Sequence, residues 1–197
     1  MNWNNCIMLA LTSSYNAFEV QEPLWRRTIE GRQFYCKRVF IPSDISEVVK
    51  WKRAFWGPVA DFSSLVKALS EHLSCLAKGE EGQAFMLFCD ERPIMQVDIV
   101  EEWLSDISLL SPMVQKGDYC MVIHFDPEVT LVALQKQAIR ALCDWWKKEG
   151  VPRVWTTILS SNLLGSAILM SSGFDLVEQT LPDEEVELYV FPSLPEK

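Results

Sequence analysis

Apolar positions recur along this chain in two rhythms, and each rhythm predicts a kind of element. From Gln33 to Ile41 the run QFYCKRVFI is aromatic and β-branched, which predicts a strand. Pro42 and Ser43 then break it. Ser43 as N-cap, with Glu47 and apolar Ile45, Val48, Val49 and Phe55 behind it, predicts a helix that Gly57-Pro58 ends. Leu65, Val66, Leu69, His72, Leu73 and Leu76 sit at helical spacing, so a second helix is expected from Asp61 to near Lys78. Residues 79–82 read as an exposed turn. Ala84–Cys89 and Pro93–Val100 read as a hairpin joined through Asp90-Glu91-Arg92. Residues 101–115 read as a loop carrying a short helical turn, and residues 1–29 give at most a short strand or capping segment.

Beyond Gly117-Asp118 the pattern sharpens. Tyr119–Phe125 (YCMVIHF) is a buried-strand candidate. A helix is expected from Glu128 to Lys148, with an apolar stripe of Val132, Ile139, Cys143 and Trp146, two lysines in its last turn and Gly150 beyond it. A strand at Arg153–Leu159, a helix at Asn162–Ser171 and two strands flanking Pro182-Asp183 complete the series. Such an order makes a mixed α/β (α+β) domain. One domain spans residues 33–197, preceded by an extension or first strand over residues 1–32.

Composition narrows the partners. The chain of 197 residues is 49% hydrophobic and 23% charged, which suits a filled core and not a disordered segment. Its net charge of −9 argues against a nucleic-acid surface, which needs clustered Lys and Arg. Six cysteines lie far apart, with no zinc or redox spacing, and read as reduced core thiols; no metal is expected. Residues 1–17 have neither a basic start nor a long apolar run, so no signal peptide or membrane span is expected. The expectation is a soluble cytoplasmic monomer or homodimer with a small-molecule substrate.

The segment from Asn162 to Gly173-Phe174 carries the sharpest signal. Asn162 can cap a helix, Gly173 can supply a left-handed exit, and Phe174 can anchor the next strand. One strand and one helix upstream stand Gly117-Asp118-Tyr119 and Asp126-Pro127. This ordered pair resembles the two acyl-CoA-binding motifs of the GNAT acyltransferases. Together with Trp51 and Trp56 on an early helix and the Leu181-Pro182 turn, it looks like the siderophore-biosynthesis branch. The likeness covers residues 33–191. It implies a mostly antiparallel sheet with a splayed central strand pair, acetyl-CoA or another acyl-CoA as co-substrate, and a small amine or hydroxylamine acceptor. It further implies that CoA lies against Val122, Ile123 and Phe125, against the turn Thr130, Leu131, Val132, Ala133, Leu134, Gln135 and Lys136, and near Asn162.

Several positions depart from the family pattern. No glycine occurs between Gly117 and Gly150, so the phosphate-cradling loop has lost its usual small residues, and Glu128 would repel a pyrophosphate. Thr130 and Gln135 remain as possible donors to a phosphate. The branch's histidine falls at Val122; His124, two residues on, lies on the same strand face and is the candidate base, with a plain structural histidine as the competing reading. The branch's aspartate falls at Leu159, and the tyrosine of the wider superfamily at Leu169. Asp98, Glu101 and Glu102 read as solvated strand-end charges, His72 as helix packing, the tryptophans as packing, and residues 183–185 as surface charge. Acyl transfer to an amine and an inactive binding or interaction module both remain open.

Overall fold

The structure, a computed structural model, describes residues 22–40, 43–56, 62–78, 82–100, 113–115, 117–151, 153–177 and 186–192. Within them lie strands β1 (Trp25–Ile29), β2 (Arg32–Arg38), β3 (Gly82–Cys89), β4 (Arg92–Val100), β5 (Tyr119–Phe125), β6 (Val154–Leu159), β7 (Asp175–Val177) and β8 (Val186–Phe191). The helices are α1 (Ile45–Trp56), α2 (Phe62–Lys78), α3 (Val132–Glu149) and α4 (Leu163–Ser171).

All eight strands form one sheet in the order β1-β2-β3-β4-β5-β6-β8-β7. Every pairing is antiparallel except β5 with β6. Two tight hairpins organise its first half. The β3–β4 turn places Asp90 at φ 48° and Glu91 at φ 67°, both positive as a two-residue hairpin requires. Asp90 offsets the strain by accepting the Gln33 amide at 2.9 Å while its own amide donates to the Gln33 carbonyl at 2.9 Å.

Alternation along the strands sends side chains to two cores. Phe34, Cys36, Phe85, Leu87, Met95, Val97, Ile99, Met121, Val154 and Tyr189 face α3 and α4, which supply Ala138, Ile139, Leu142, Trp146, Ile168 and Leu169. The opposite face carries Met86, Phe88, Val100, Cys120, Trp155 and Val190 against Val48 and Trp51 of α1 and Leu73 and Leu76 of α2. Cys36, Cys89, Cys120 and Cys143 are buried as free thiols, in keeping with their apolar settings.

Strand β2 ends at Arg38, short of the expected Ile41, and three further elements differ from the sequence pattern. Helix α1 begins at Ile45 after Asp44, not after a Ser43 cap. The Asp44 carbonyl accepts the Val48 amide, while its carboxylate turns back to the Phe40 amide and Lys37. Helix α3 starts at Val132, four residues later than expected, because Asp126 holds the following residues in a turn by accepting the amides of Glu128 and Val129. Strand β1 has no signal of its own; WRRTI forms by pairing along β2. Residues 1–21, 101–112 and 178–185, where further readings fell, lie outside the described residues.

The C-terminal motif folds as its residues suggest. Asn162 accepts the Gly165 amide at 3.0 Å and caps α4, Gly173 takes φ 101°, and Phe174 is buried against Phe191. At the far end of α3, Gly150 at φ 75° closes the helix in the left-handed region.

Candidate active site

Strand β5 is fully paired on one edge and nearly unpaired on the other. Against β4 its register runs from Cys120↔Val100 to Phe125↔Met95. Against β6 it pairs only at Tyr119↔Val154 and Cys120↔Trp155. Past Cys120 the two parallel strands separate, and among the described residues the β6-facing edge of residues 121–125 has no strand partner.

Asp118 pins the closed end of this cleft. Its buried carboxylate accepts the Gln115 amide at 2.8 Å, Arg153 Nε at 3.0 Å and Trp155 Nε1 at 2.9 Å. The last two groups flank the start of β6, so one carboxylate ties both strands together where they still touch.

The mouth of the cleft lies at the C-terminal ends of β5 and β6, where α3 and α4 begin. No side chain caps α3; Leu131 holds the cap position, and the first amides to find a carbonyl there are those of Leu134 and Gln135. The amides of Val132 and Ala133 therefore stand at the mouth with the positive end of the helix dipole. Around them the side chains are apolar: Leu131 is 54% exposed, Leu159 56% and Leu163 75%, with Thr130, Val132, Ala133, Leu164 and Asn162 also exposed. Leu134 packs on the core and Lys136 is half-buried. Gln135 does not face outward; its Nε2 donates to the Val129 carbonyl at 2.8 Å and closes the loop. Glu128 is neutralised, contrary to expectation, by Arg92 at 3.0 Å and Lys50 at 3.3 Å. Arg92 also reaches Asp126 at 2.6 Å, so one guanidinium braces the β5–α3 turn.

On the α1/α2 face a polar cluster interrupts the core. Asp98 is 0% exposed, which corrects its reading as a solvated strand-end charge: the strand runs on to Val100, and α1 and α2 cover it. Lys52 Nζ of α1 lies 3.4 Å and His72 Nε2 of α2 lies 3.6 Å from Asp98 Oδ2, and Gln96 Nε2 donates to Oδ1. His72 is thus part of an electrostatic group and not simply helix packing. His124 sits across from Gln96, and Val122 across from Asp98, so His124 faces this cluster while Ile123 and Phe125 turn toward the other core. The chain has two histidines, and the fold brings both to one carboxylate. Burial pushes the His124 imidazole down to about 4, helped by Lys52 and His72 and opposed by Asp98. At neutral pH it is an uncharged base.

No protein-family model matches the sequence, and no curated protein matches it. Solved structures do. An uncharacterised protein from Bacillus halodurans superposes with a TM-score of 0.69 at 14% identity, over 87% of this chain and 91% of that one. An aminoglycoside acetyltransferase, AAC(6')-Ib, in complex with coenzyme A gives 0.58 at 14%, over 80% and 93%. A variant of the spermidine N-acetyltransferase SpeG from Vibrio cholerae gives 0.56 at 11%, over 80% and 92%. Another such structure is an acetyltransferase of the GNAT family from Streptococcus pneumoniae. The fold is that of the GNAT acetyltransferases.

Within this GNAT fold the sequence reading missed two groups. Lys52 was hidden because a lysine beside Trp51 on an amphipathic helix reads as the edge of its polar face. The other is Glu187 on β8, which accepts from Ser166 at 2.8 Å and from Tyr189 at 2.6 Å. Those bonds hold the Glu187 carboxyl below its usual range, and burial with the same carboxylate pushes the Tyr189 phenol up. Leu169, where the resemblance would put a tyrosine, lies on the buried face of α4. Trp51 is buried as packing, whereas the Trp56 side chain and residues 101–102 fall outside the described residues. Among the described residues no group of three His, Cys, Asp or Glu side chains is placed to hold a metal, and no helix is long and apolar enough to cross a membrane.

Proposed function

We propose that this chain is an acyl-CoA-dependent acyltransferase, an N-acetyltransferase acting on a small amine or hydroxylamine. The observation that carries the reading is the parallel β5–β6 pair that stays joined for two residues and then opens beside His124. The acyl-CoA lies along the free edge of Val122, Ile123 and Phe125. Its pyrophosphate meets the backbone amides of the turn from Thr130 to Lys136, at the uncapped start of α3. Asn162 borders the same mouth from α4. His124, neutral and half-buried, accepts the proton that the attacking nitrogen loses. Edge amides of β5 polarise the thioester carbonyl. The likeness to the siderophore-biosynthesis branch supports a hydroxylamine as one form of the acceptor, and the buried free thiols suit a cytoplasmic protein.

Calorimetric titration with acetyl-CoA tests the donor half. Binding that fails at about millimolar concentration sinks the enzymatic reading. A second reading, an inactive binding or interaction module, is favoured by the exposed leucines at the mouth and the absence of a glycine between Gly117 and Gly150. It requires that no amine be acylated by a protein that folds normally.

A further inference from the structure

Helix α4 has no polar outer face. Its sequence, LLGSAILMS, contains no charged side chain. Ser166, Ile168 and Leu169 turn inward, which leaves Leu163, Leu164, Ala167 and Met170 on the solvent side. Leu163 is 75% exposed, Leu164 54% and Met170 52%. A helix that is apolar all round normally lies buried on every side, and this one does not. Leu159, at the end of β6, and Leu176, on β7 against which α4 packs, extend the exposed strip before and after the helix. Side chains so exposed present on the order of 500 Å² of apolar surface, the size at which a patch marks a contact site.

The place and size of this strip narrow its occupant. Leu159 and Leu163 border the cleft mouth, and Leu131 and Val132 stand across it at the start of α3. Leu134 of α3 and Ile158 of β6 pack on one core, so the two groups rim a single opening. Whatever covers the strip therefore lies over the entrance by which a thioester reaches β5. A stable dimer buries about 800 Å² on each partner, more than the strip offers. Its size suits a partner that docks and leaves at each turnover.

The charges at the mouth point the same way. The Val132 and Ala133 amides offer a place for one phosphate, and the first basic residue of α3, Lys136, lies one turn further in. Lys50 and Arg92 are held by Glu128. Coenzyme A brings a pyrophosphate and a ribose phosphate to a chain of net charge −9. The same pantetheine thiol carried on a protein serine brings a single phosphodiester, with a protein body behind it to cover leucines.

We propose that the acyl donor is delivered by a carrier protein, whose acylated phosphopantetheine arm enters the β5–β6 cleft while its body docks on the apolar strip of α4. The proposal rests on the acyl-transfer reading above and names the partner that brings the donor. Acetyl-CoA is accepted for its arm, and its nucleotide adds little. In the reaction the amine nitrogen bonds to the acyl carbon as the C–S bond breaks. The nitrogen gives up one proton and the sulfur of the arm takes one, so the carrier leaves with a free thiol.

Three thioesters titrated by calorimetry separate the contributions: acetyl-CoA, acetyl-phosphopantetheine, and an acyl carrier protein bearing the acetylated arm. The first two should bind within about threefold of each other, and the carrier protein about tenfold tighter than either. Met170→Glu changes an exposed position away from the mouth. It should bring the carrier protein back to the affinity of the free arm and leave acetyl-phosphopantetheine unchanged. The proposal is overturned, with acyl transfer left standing, by acetyl-CoA binding about tenfold tighter than acetyl-phosphopantetheine, or by a carrier protein no tighter than the free arm. An advantage that survives Met170→Glu, or a loss that both ligands share equally, overturns it too. So does a wild-type dimer in sedimentation that Met170→Glu dissociates, since a second copy then takes the strip. If no thioester binds at about millimolar concentration, the acyl-transfer reading falls as well. The wild-type comparison does not depend on the variant folding.

Discussion

Replacing Asp118 by Ala should cost this fold about 3–4 kcal/mol, because a single carboxylate closes the β5–β6 cleft. The carboxylate is 2% exposed and accepts from Gln115, Arg153 and Trp155. Without it Trp155 Nε1, on a fully buried ring, has no partner, and an orphaned donor of that kind costs about 1–3 kcal/mol. Arg153 loses its ion pair; its side chain is 17% exposed, so it recovers some hydration and contributes about 1–2 kcal/mol in place of the full penalty for a buried charge. The Gln115 amide is the minor loss. Asp118→Asn keeps one accepting oxygen and should lose about half as much. Guanidinium denaturation followed by tryptophan emission measures both variants, and the loss is a large part of a typical total stability of about 5–15 kcal/mol. Acetyl-CoA affinity, measured under native conditions, should fall together with stability, since the residues that lose their anchor set the angle of the cleft. A stability loss below about 1 kcal/mol for Asp118→Ala would refute the argument.

Three further outcomes follow from the same geometry. The folded protein holds His124 near 4 while the unfolded chain titrates near 6.5, so the unfolded state binds the extra proton as pH falls between those values. Stability is full above 6.5 and declines toward 4 by about 3 kcal/mol; His124→Gln should abolish that slope, and an imidazole that titrates near 6.5 in the folded protein contradicts it. Lys52→Met strands the Asp98 carboxylate beside His72 and should cost about 2–4 kcal/mol, part of which Asp98→Asn restores in the double variant; additive losses by denaturation would show that the pair is not coupled. Leu131→Arg places a guanidinium beside the uncapped α3 amides and should raise acetyl-CoA affinity by about three- to tenfold at low salt, fading as salt is added; unchanged calorimetry would put the pyrophosphate elsewhere.

What the sequence discloses here is whatever depends on neighbours in the chain. Tyr119–Phe125 matches β5 residue for residue, and the Asn162 cap with the Gly173 exit follows from side-chain and backbone chemistry within one helix. Strand β1 escapes notice because its pattern of alternating burial arises only once β2 pairs with it. Asp98 is the instructive failure. Its place near a strand end suggests water, yet α1 and α2 arrive from about 20–50 positions away in sequence to cover it, and no local pattern encodes that. Lys52 and His72 are the complements of that burial, and neither is informative until the carboxylate they approach is known. His124 could be placed on the correct face by period alone, but its depressed basicity is a property of three elements at once.

The two halves of the cleft weigh differently on the question of function. At the mouth, the glycine-free turn and exposed leucines leave backbone amides and a helix dipole as the means of holding a pyrophosphate, with Lys50 and Arg92 turned to Glu128. Such a site would bind weakly and with little salt dependence, since few cations release counterions there. Around Asp98 the balance is reversed. A buried Lys–Asp pair, a fully buried glutamine with an unsatisfied oxygen and an uncharged histidine are each costly, and an apolar packing of the same volume would often be as stable or more so. A scaffold relieved of chemistry has no physical reason to keep the expensive half and simplify the cheap one. The buried polar cluster around Asp98, not the turn before α3, is therefore where the acyl-transfer reading has its stronger support.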